Sequence, residues 1–202
     1  MELYDSLIKE NDKEALKEYL EGRSIHNVPE DFFWCKGVYS KGHQYSGLFV
    51  VVKDTYGNIQ QISNRNNKWS IVYTTECSIP IWREKDIHKS DTIIITESAI
   101  DAESVRDLLP ENISIVSTMS ASFKLSQFHY LIYLAYNKHI VLAFDNDNGG
   151  QSSTERFIKM AKDKYGKEIH TLSYAYKDLN EFVNKAKNAN GILKTNLRSI
   201  LK

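Results

Sequence analysis

Acidic residues at three places in the second half of the sequence could together perform metal-dependent chemistry. Glu97 follows one apolar run of the chain. Asp145 and Asp147 follow a second run, and Asp178 follows a third. Carboxylates brought together without a counter-charge repel, and some of them would have to take up protons. A divalent cation removes this conflict, because Mg²⁺ binds a few carboxylates together with waters and phosphate oxygens. The pattern therefore predicts a magnesium site that can act on phosphates.

Strands and helices alternate from about residue 91 onward, which indicates a mostly parallel sheet with helices on its faces. The predicted strands are 92–96, 113–117, 139–144 and 168–174, and the predicted helices are 99–108, 125–136, one after residue 150 and one from residue 179. Such sheets place their sites beyond the carboxyl ends of the strands. All of the acidic residues named above stand at those ends, so the fold class predicted for residues 91–202 is α/β with a C-terminal helical extension.

Three further residues are predicted to support the site. Asp101 falls in the first turn of the helix after Glu97. Gly149 and Gly150 open the next helix, where they let the backbone turn sharply and leave a helix N-terminus for anions. Each signal alone is common at surface turns and helix caps. Their joint occurrence after three strands of one unit favours a shared site.

Residues 1–90 have a different pattern, typical of a small α+β subdomain. A helix is predicted from about Asn11 to Gly22. The runs 48–52, 59–62 and 69–75 are rich in aromatic and β-branched residues, and 54–58 is a turn, so an antiparallel sheet is expected.

The composition limits the partners and cofactors. Lys and Arg number 26, as do Asp and Glu, so nucleic-acid binding would depend on local clusters of cations. The two cysteines are too few for a four-cysteine zinc module, and no zinc is expected. No apolar run reaches the roughly 20 residues that span a bilayer, so no membrane partner is expected. Nothing signals export, which predicts a cytoplasmic location.

Three segments of the second half resemble the TOPRIM family. Residues 96–102 (TESAIDA) resemble its first motif, a strand that ends in Glu before a helix that carries Asp. Residues 144–150 (FDNDNGG) resemble its Asp-x-Asp motif with Gly beyond it. Residues 177–181 (KDLNE) are similar to the stretch that closes the site in bacterial primases. The resemblance covers about residues 91–183 and implies a Rossmann-like fold.

Upstream segments resemble the RNA polymerase core of DnaG-type primases, without their zinc-binding and helicase-binding domains. These segments are 19–25 (YLEGRSI), 49–54 (FVVVKD), 63–65 (SNR) and 68–70 (KWS). The sequence departs from the family pattern at Ser24 and Ser63, where glycines are expected, at Leu179 in place of Pro, and at Asn180 in place of Asp. Asn180 can coordinate a metal without adding charge, so a second ion would bind more weakly.

The resemblance implies a DNA primase, a nucleotidyltransferase that makes short RNA primers on single-stranded DNA from nucleoside triphosphates. Glu97, Asp145, Asp147, Asp178 and Asn180 would then hold one or two Mg²⁺ or Mn²⁺ ions. The cations expected to grip the triphosphate or template are Arg23, Arg65, Lys68 and Lys177. A replicative helicase or a separate zinc-bearing protein would be a further partner, and a phage or other mobile element is the expected origin.

Two other functions fit the same residues. A TOPRIM nuclease uses such a site to hydrolyse phosphodiesters with water. A non-catalytic TOPRIM module would serve in a replication or mobilisation complex. Within residues 65–69, two cations beside Trp69 could bind single strands by charge and stacking. The alternative is a solvated hairpin with Trp69 in the core.

Overall fold

The computed structural model describes residues 2–66, 68–120 and 122–201. Asn67, within the stretch 65–69 considered above, lies outside these described residues. The chain divides into two compact units, and the division falls between Pro80 and Ile81. This division precedes the predicted boundary at residue 90, because a 3₁₀ helix (Glu84–Lys89) belongs to the second unit. The hydroxyl of Ser114 donates a hydrogen bond to the carbonyl of Asp86 in that helix at 2.8 Å.

The N-terminal unit is an antiparallel sheet with two helices in its described residues. Its elements are α1 (Glu2–Lys9), α2 (Lys13–Glu21), β1 (Phe32–Ser40), β2 (His43–Lys53), β3 (Ile59–Arg65) and β4 (Trp69–Thr74). The strands pair in the order β1-β2-β3-β4. Alternate residues of β1 and β2, such as Phe33 and Phe49, point to one face and pack with Leu7 of α1. The antiparallel subdomain predicted from the sequence is thereby confirmed.

The C-terminal unit contains a four-stranded parallel sheet, β6-β5-β7-β8. Its elements after the 3₁₀ helix are β5 (Thr92–Thr96), α3 (Ala99–Arg106), β6 (Ile113–Ser117), α4 (Leu125–Leu134), β7 (His139–Leu142), α5 (Asn148–Tyr165), β8 (His170–Thr171), α6 (Leu179–Lys185) and α7 (Ala189–Ile200). This arrangement confirms the α/β fold class. None of the helices in the described ranges is long and apolar enough to cross a membrane.

Burial explains the composition of the parallel sheet. All five residues of β5 are buried, because the strand lies between β6 and β7 and both of its faces are covered. The apolar packing includes a cluster of aromatic rings in which Phe123 and Phe128 contact Phe157 at centroid distances of 5.3 and 4.9 Å. The sheet is therefore a well-packed support for the loops at its carboxyl edge.

The strand order reverses between β5 and β7. From β5 the chain moves to β6 on one side, and it then returns to β7 on the other side. Loops that leave two adjacent strands in opposite directions open a crevice at the carboxyl edge of the sheet, where open α/β sheets bind their ligands. Glu97 follows β5 directly, and Asp145 comes after β7, beyond Ala143 and Phe144.

A buried ionic cluster fixes α3 to the preceding segment. The Glu103 carboxylate has no exposed surface. It accepts hydrogen bonds from Trp82 Nε1 at 2.9 Å, from Arg106 Nε at 2.9 Å and from the guanidinium of Arg83. A buried carboxylate is tolerable only when it is paired in this way. The cluster thus stabilises the helix that begins beside Glu97.

Candidate active site

The loops after β5 and β7 are in direct contact through their acidic residues. Glu97, half-buried, follows β5, and its Oε1 atom accepts a hydrogen bond from the backbone N–H of Asp145 at 3.1 Å. Asp145 is also partly buried. Two acidic residues that are 48 positions apart in the chain are therefore in contact at the carboxyl edge.

Two of the other acidic residues begin helices at the same edge. Asp147 is the N-cap of α5, and its Oδ1 atom accepts from the backbone N–H groups of Gly149 and Gly150, each at 3.0 Å. Asp178 is the N-cap of α6, and its Oδ1 atom accepts from the N–H of Glu181 at 2.7 Å. Capping satisfies helix N–H groups that have no partner within the helix. It also fixes the direction of each carboxylate.

Asp101 connects the segment that contains Glu97 to the segment that contains Asp178. It is buried in the first turn of α3, where the Ser98 hydroxyl donates to its Oδ2 atom. Its Oδ1 atom accepts from the backbone N–H of Asn180 at 3.1 Å. Asn180 itself is buried, with 3% of its surface exposed. The residue that the sequence predicted as a support thus connects α3 to α6.

The acidic residues interact electrostatically. The pKa of Asp145 is raised to about 7, first by burial and then by the charges of Glu97, Asp101, Asp178 and Asp147. Burial also raises the pKa of Glu97, and the charges of Asp147 and Asp101 add to this, while the hydrogen bond from the Asp145 N–H opposes it. The structure therefore brings together Glu97, Asp145, Asp147 and Asp178, with Asp101 as a fifth carboxylate.

Lys177 is the predicted cation found beside this group. Its Nζ atom lies 3.9 Å from Oδ2 of Asp147, and both side chains are about half exposed or more. A pair so exposed contributes little to stability. Lys177 is therefore able to leave Asp147 for another anion, such as a phosphate.

The carboxylates suit a hard divalent cation in their chemistry. Among the described residues, no three Asp, Glu, His or Cys side chains are already arranged as a metal cage. Mg²⁺ does not require one, since it is commonly bound by one or two carboxylates, with waters and substrate phosphates as its other ligands. Burial and then the repulsion of neighbouring carboxylates raise the pKa of Asp145, and a bound divalent ion relieves such repulsion. The residues present therefore fit Mg²⁺ or Mn²⁺.

The two glycines after Asp147 have different roles. A Cβ atom on Gly150 would lie 2.0 Å from the carbonyl oxygen of Asp145, so only glycine permits this close approach of helix and loop. A Cβ atom on Gly149 would lie 3.2 Å from Oδ1 of Asp147, a contact that a small shift relieves. Gly150 therefore sets the distance between Asp145 and the start of α5.

Two residues at the site were not singled out from the sequence. The hydroxyl of Tyr174 donates to the carbonyl of Phe144 at 2.7 Å, and burial together with the nearby carboxylates raises its pKa, so it remains a neutral donor. Asn146, between Asp145 and Asp147, binds the segment that precedes Asp178. An asparagine in a loop is a general signal for such backbone contacts, but the sequence does not indicate its partner.

The predicted cations of the N-terminal unit lie beside aromatic rings. The guanidinium of Arg23 lies 5.5 Å from the ring centroid of Tyr19, and that of Arg65 lies 5.4 Å from the ring of Trp69. Tyr19 in turn contacts Trp34, with their ring centroids 4.9 Å apart. Trp69 is half-buried at the start of β4, rather than in the core.

An open depression of about 280 Å³ lies among these side chains. It is lined by Tyr19, Trp34, Cys35, Lys36, Ser46, Gly47, Arg65 and Asn66. Trp34 and Arg65 are placed there by the register of the sheet, because both pair with Leu48 of β2. Lys68, the remaining predicted cation of this unit, is exposed to solvent. The depression combines rings with positive charge.

Comparison with known proteins identifies the fold. Residues 94–183, from β5 to α6, match the family described as Toprim-like. No curated protein matches the sequence significantly. The primase fragment of the bacteriophage T7 primase-helicase has a similar structure, with 18% identity and a TM-score of 0.61, over 85% of this chain and 66% of that one.

Two other primase structures are similar. The Aquifex aeolicus primase, with its zinc-binding and RNA polymerase domains, is 14% identical with a TM-score of 0.71, over 91% of this chain and 55% of that one. A DnaG primase catalytic domain bound to single-stranded DNA is 12% identical with a TM-score of 0.64, over 90% of this chain and 73% of that one. The chain thus spans little more than half of the Aquifex protein. Residues 94–183 match the Toprim-like family, and the fold of the chain resembles the catalytic core of DnaG-type primases.

Proposed function

We propose that this chain is the catalytic core of a DNA primase, a nucleotidyltransferase that synthesises short RNA primers on single-stranded DNA. The observation that carries the proposal is the convergence of Glu97, Asp145, Asp147 and Asp178 at the carboxyl edge of a Toprim-like sheet. Resemblance to primase cores, one of them bound to single-stranded DNA, favours a nucleotide polymer as the substrate.

The four carboxylates would hold one or two Mg²⁺ or Mn²⁺ ions. When bound, such ions neutralise the triphosphate and polarise the attacking 3′-hydroxyl. Asp147 and Asp178 each use one oxygen in a helix cap, which leaves the other oxygen for a ligand. Asn180 adds a neutral ligand at most. Lys177, exposed beside Asp147, would bind a phosphate.

The N-terminal unit would bind the template or the incoming nucleotide. Arg23, Arg65 and Lys68 supply positive charge, and guanidinium groups match phosphate oxygens well. Trp34 and Tyr19 offer rings beside Arg65 in the depression, and bases stack on such rings with little dependence on sequence. We propose two further partners, a replicative helicase and a separate zinc-bearing protein. This part of the proposal rests only on the resemblance to DnaG-type primases.

Primer synthesis by the purified chain tests the proposal. The chain is incubated with single-stranded DNA, labelled ribonucleotides and Mg²⁺ or Mn²⁺, and the products are separated by size. We expect short RNA products that Asp145→Asn abolishes and that Asp163→Asn preserves. Asp163 is an exposed residue of α5, so its replacement makes the same charge change away from the site. Metal-dependent degradation of the DNA without synthesis would indicate the nuclease instead.

Arg65→Ala tests the nucleotide-binding role separately. The change removes a guanidinium from the depression without removing a core side chain, since Arg65 is only partly buried. We expect the apparent affinity for nucleotide to fall about fivefold or more, as for loss of a charge-assisted hydrogen bond, with a small change in thermal stability. An unchanged affinity would remove Arg65 from the site. DNA binding with neither synthesis nor cleavage would leave the non-catalytic module.

A further inference from the structure

Asn146, the middle residue of the Asp-x-Asp motif, connects two loops of the C-terminal unit. Its backbone N–H donates to the carbonyl of Lys177 at 2.6 Å. Its side-chain Nδ2 donates to the carbonyls of Tyr174 at 2.8 Å and Tyr176 at 2.6 Å. All three acceptors belong to the irregular segment between β8 and Asp178. One asparagine therefore binds this segment at three places.

The position of Asp178 depends on that segment. Strand β8 contains only two residues, so the sheet holds the chain no further than the start of the segment. Asp178 follows directly and is half-buried as the N-cap of α6. Asn146 stands between Asp145 and Asp147, so its hydrogen bonds join two acidic groups that come from different loops. These bonds, together with the one from Asn180 to Asp101, restrain the distance between the groups.

We infer that Asn146 is a positioning residue that makes the acidic site selective for Mg²⁺ over the larger Ca²⁺. The inference rests on the metal site proposed above and adds a determinant of ion size. Mg²⁺ requires nearly ideal octahedral ligands at about 2.0–2.1 Å, whereas Ca²⁺ accepts flexible arrangements at about 2.3–2.6 Å. A site whose loops are loosened therefore loses Mg²⁺ affinity first.

The matched pair of variants is Asn146→Ala and Asn196→Ala. Asn196, on α7, donates its side-chain Nδ2 to the carbonyl of Ser173 at 2.6 Å. It thus makes the same kind of bond to the start of the same segment, but from an element that carries none of the acidic residues. Both variants lose side-chain bonds to the segment. Only Asn146→Ala loses bonds that join it to the loop of Asp145 and Asp147, and this variant keeps the backbone bond to Lys177.

Calorimetric titration of the full chain with Mg²⁺ and with Ca²⁺ gives the deciding measurement. Loss of two side-chain hydrogen bonds should lower the Mg²⁺ affinity of Asn146→Ala about tenfold, and its Ca²⁺ affinity by less than about threefold. Asn196→Ala should retain both affinities within about twofold. An equal loss for both ions, or no loss, in a folded Asn146→Ala protein would overturn the inference.

A second measurement does not depend on metal. Hydrogen–deuterium exchange in EDTA should become faster at residues 174–178 in Asn146→Ala, because two bonds to that segment are gone. Unchanged exchange there would also reject the positioning role. If the wild type binds no Mg²⁺, the metal site and this inference fail together. If the ion selectivity behaves as expected but no RNA is made, only the primase assignment fails.

Discussion

Replacing Asp145 by Asn should stabilise the protein without divalent ions and remove its response to Mg²⁺. Burial, followed by the charges of Glu97, Asp101, Asp178 and Asp147, raises the pKa of Asp145 from an ordinary 3.8 to about 7. Above that pH Asp145 is ionised in both states, and the ionised carboxylate has a higher free energy in the folded chain than in the unfolded chain. Asparagine has nearly the same shape and no charge, so it removes this cost.

The sign and size of the effect follow from the pKa. Well below pH 3.8 the Asp145 carboxyl is protonated in both states, and the cost is absent. It grows as the pH rises from 3.8 towards about 7 and is constant above that. The full difference corresponds to about 4 kcal/mol at 1.36 kcal/mol per pH unit. Solvent screening of a partly exposed group reduces this to about 1–2 kcal/mol, which is about 2–8 °C in unfolding temperature.

Scanning calorimetry at pH 8, in EDTA and in excess Mg²⁺, measures both effects. In EDTA, Asp145→Asn should unfold at a higher temperature than the wild type, and the two should converge as the pH is lowered towards 4. In Mg²⁺ the wild type should gain stability, because a ligand of the folded state stabilises it, whereas the variant should gain little. Asp163→Asn, the exposed control, should follow the wild type. A variant that is no more stable than the wild type in EDTA at pH 8 would refute the electrostatic reasoning.

Three other changes test separate parts of the structure. Gly150→Ala should lower the free energy of unfolding by about 2 kcal/mol or more, because its Cβ atom would overlap the Asp145 carbonyl. Gly149→Ala should change the free energy of unfolding by less than about 0.5 kcal/mol. Equal losses for the two variants in chemical denaturation would contradict the close-approach argument. Trp34→Leu should weaken binding of oligo-dT at least about fivefold in fluorescence anisotropy, and Tyr56→Leu, in an exposed turn outside the depression, should not. Glu103→Gln should cost about 2 kcal/mol in chemical denaturation, because the partly buried guanidinium groups of Arg83 and Arg106 lose charged hydrogen bonds, and a neutral result would show that the cluster is dispensable.

The strands and acidic positions of the C-terminal unit could be predicted because their signals are local. The runs that became β5 and β6 have the predicted bounds, since β-branched residues mark both strands in the sequence and both strands are largely buried. The rule that sites lie beyond the carboxyl ends of parallel strands then selected Glu97, Asp145 and Asp178. Their roles as metal ligands stay a prediction, which the calorimetry in EDTA and in Mg²⁺ would test.

Features that depend on distant partners could not be predicted. The sequence suggested a strand at residues 168–174, but β8 contains only His170 and Thr171. The carbonyls of Ser173 and Tyr174 accept instead from the side chains of Asn196 and Asn146, so the ladder does not continue. The N-terminal helix gives a second case. The sequence favoured a start near Asn11, whereas Asp12 caps α2 and Asn11 accepts from the N–H of Trp34 at 2.9 Å.

The acidic residues of the site divide into two groups with different structural costs. Asp147 and Asp178 cap helices, so each stabilises the fold through backbone N–H groups while it faces the site. The 18-residue helix α5 further favours a negative charge at Asp147. Glu97 and Asp145 begin no helix, and burial, followed by repulsion within the cluster, raises the pKa of both. The fold therefore tolerates the outer charges by itself and concentrates the unfavourable charge at Asp145, which is where a bound cation would contribute most to stability.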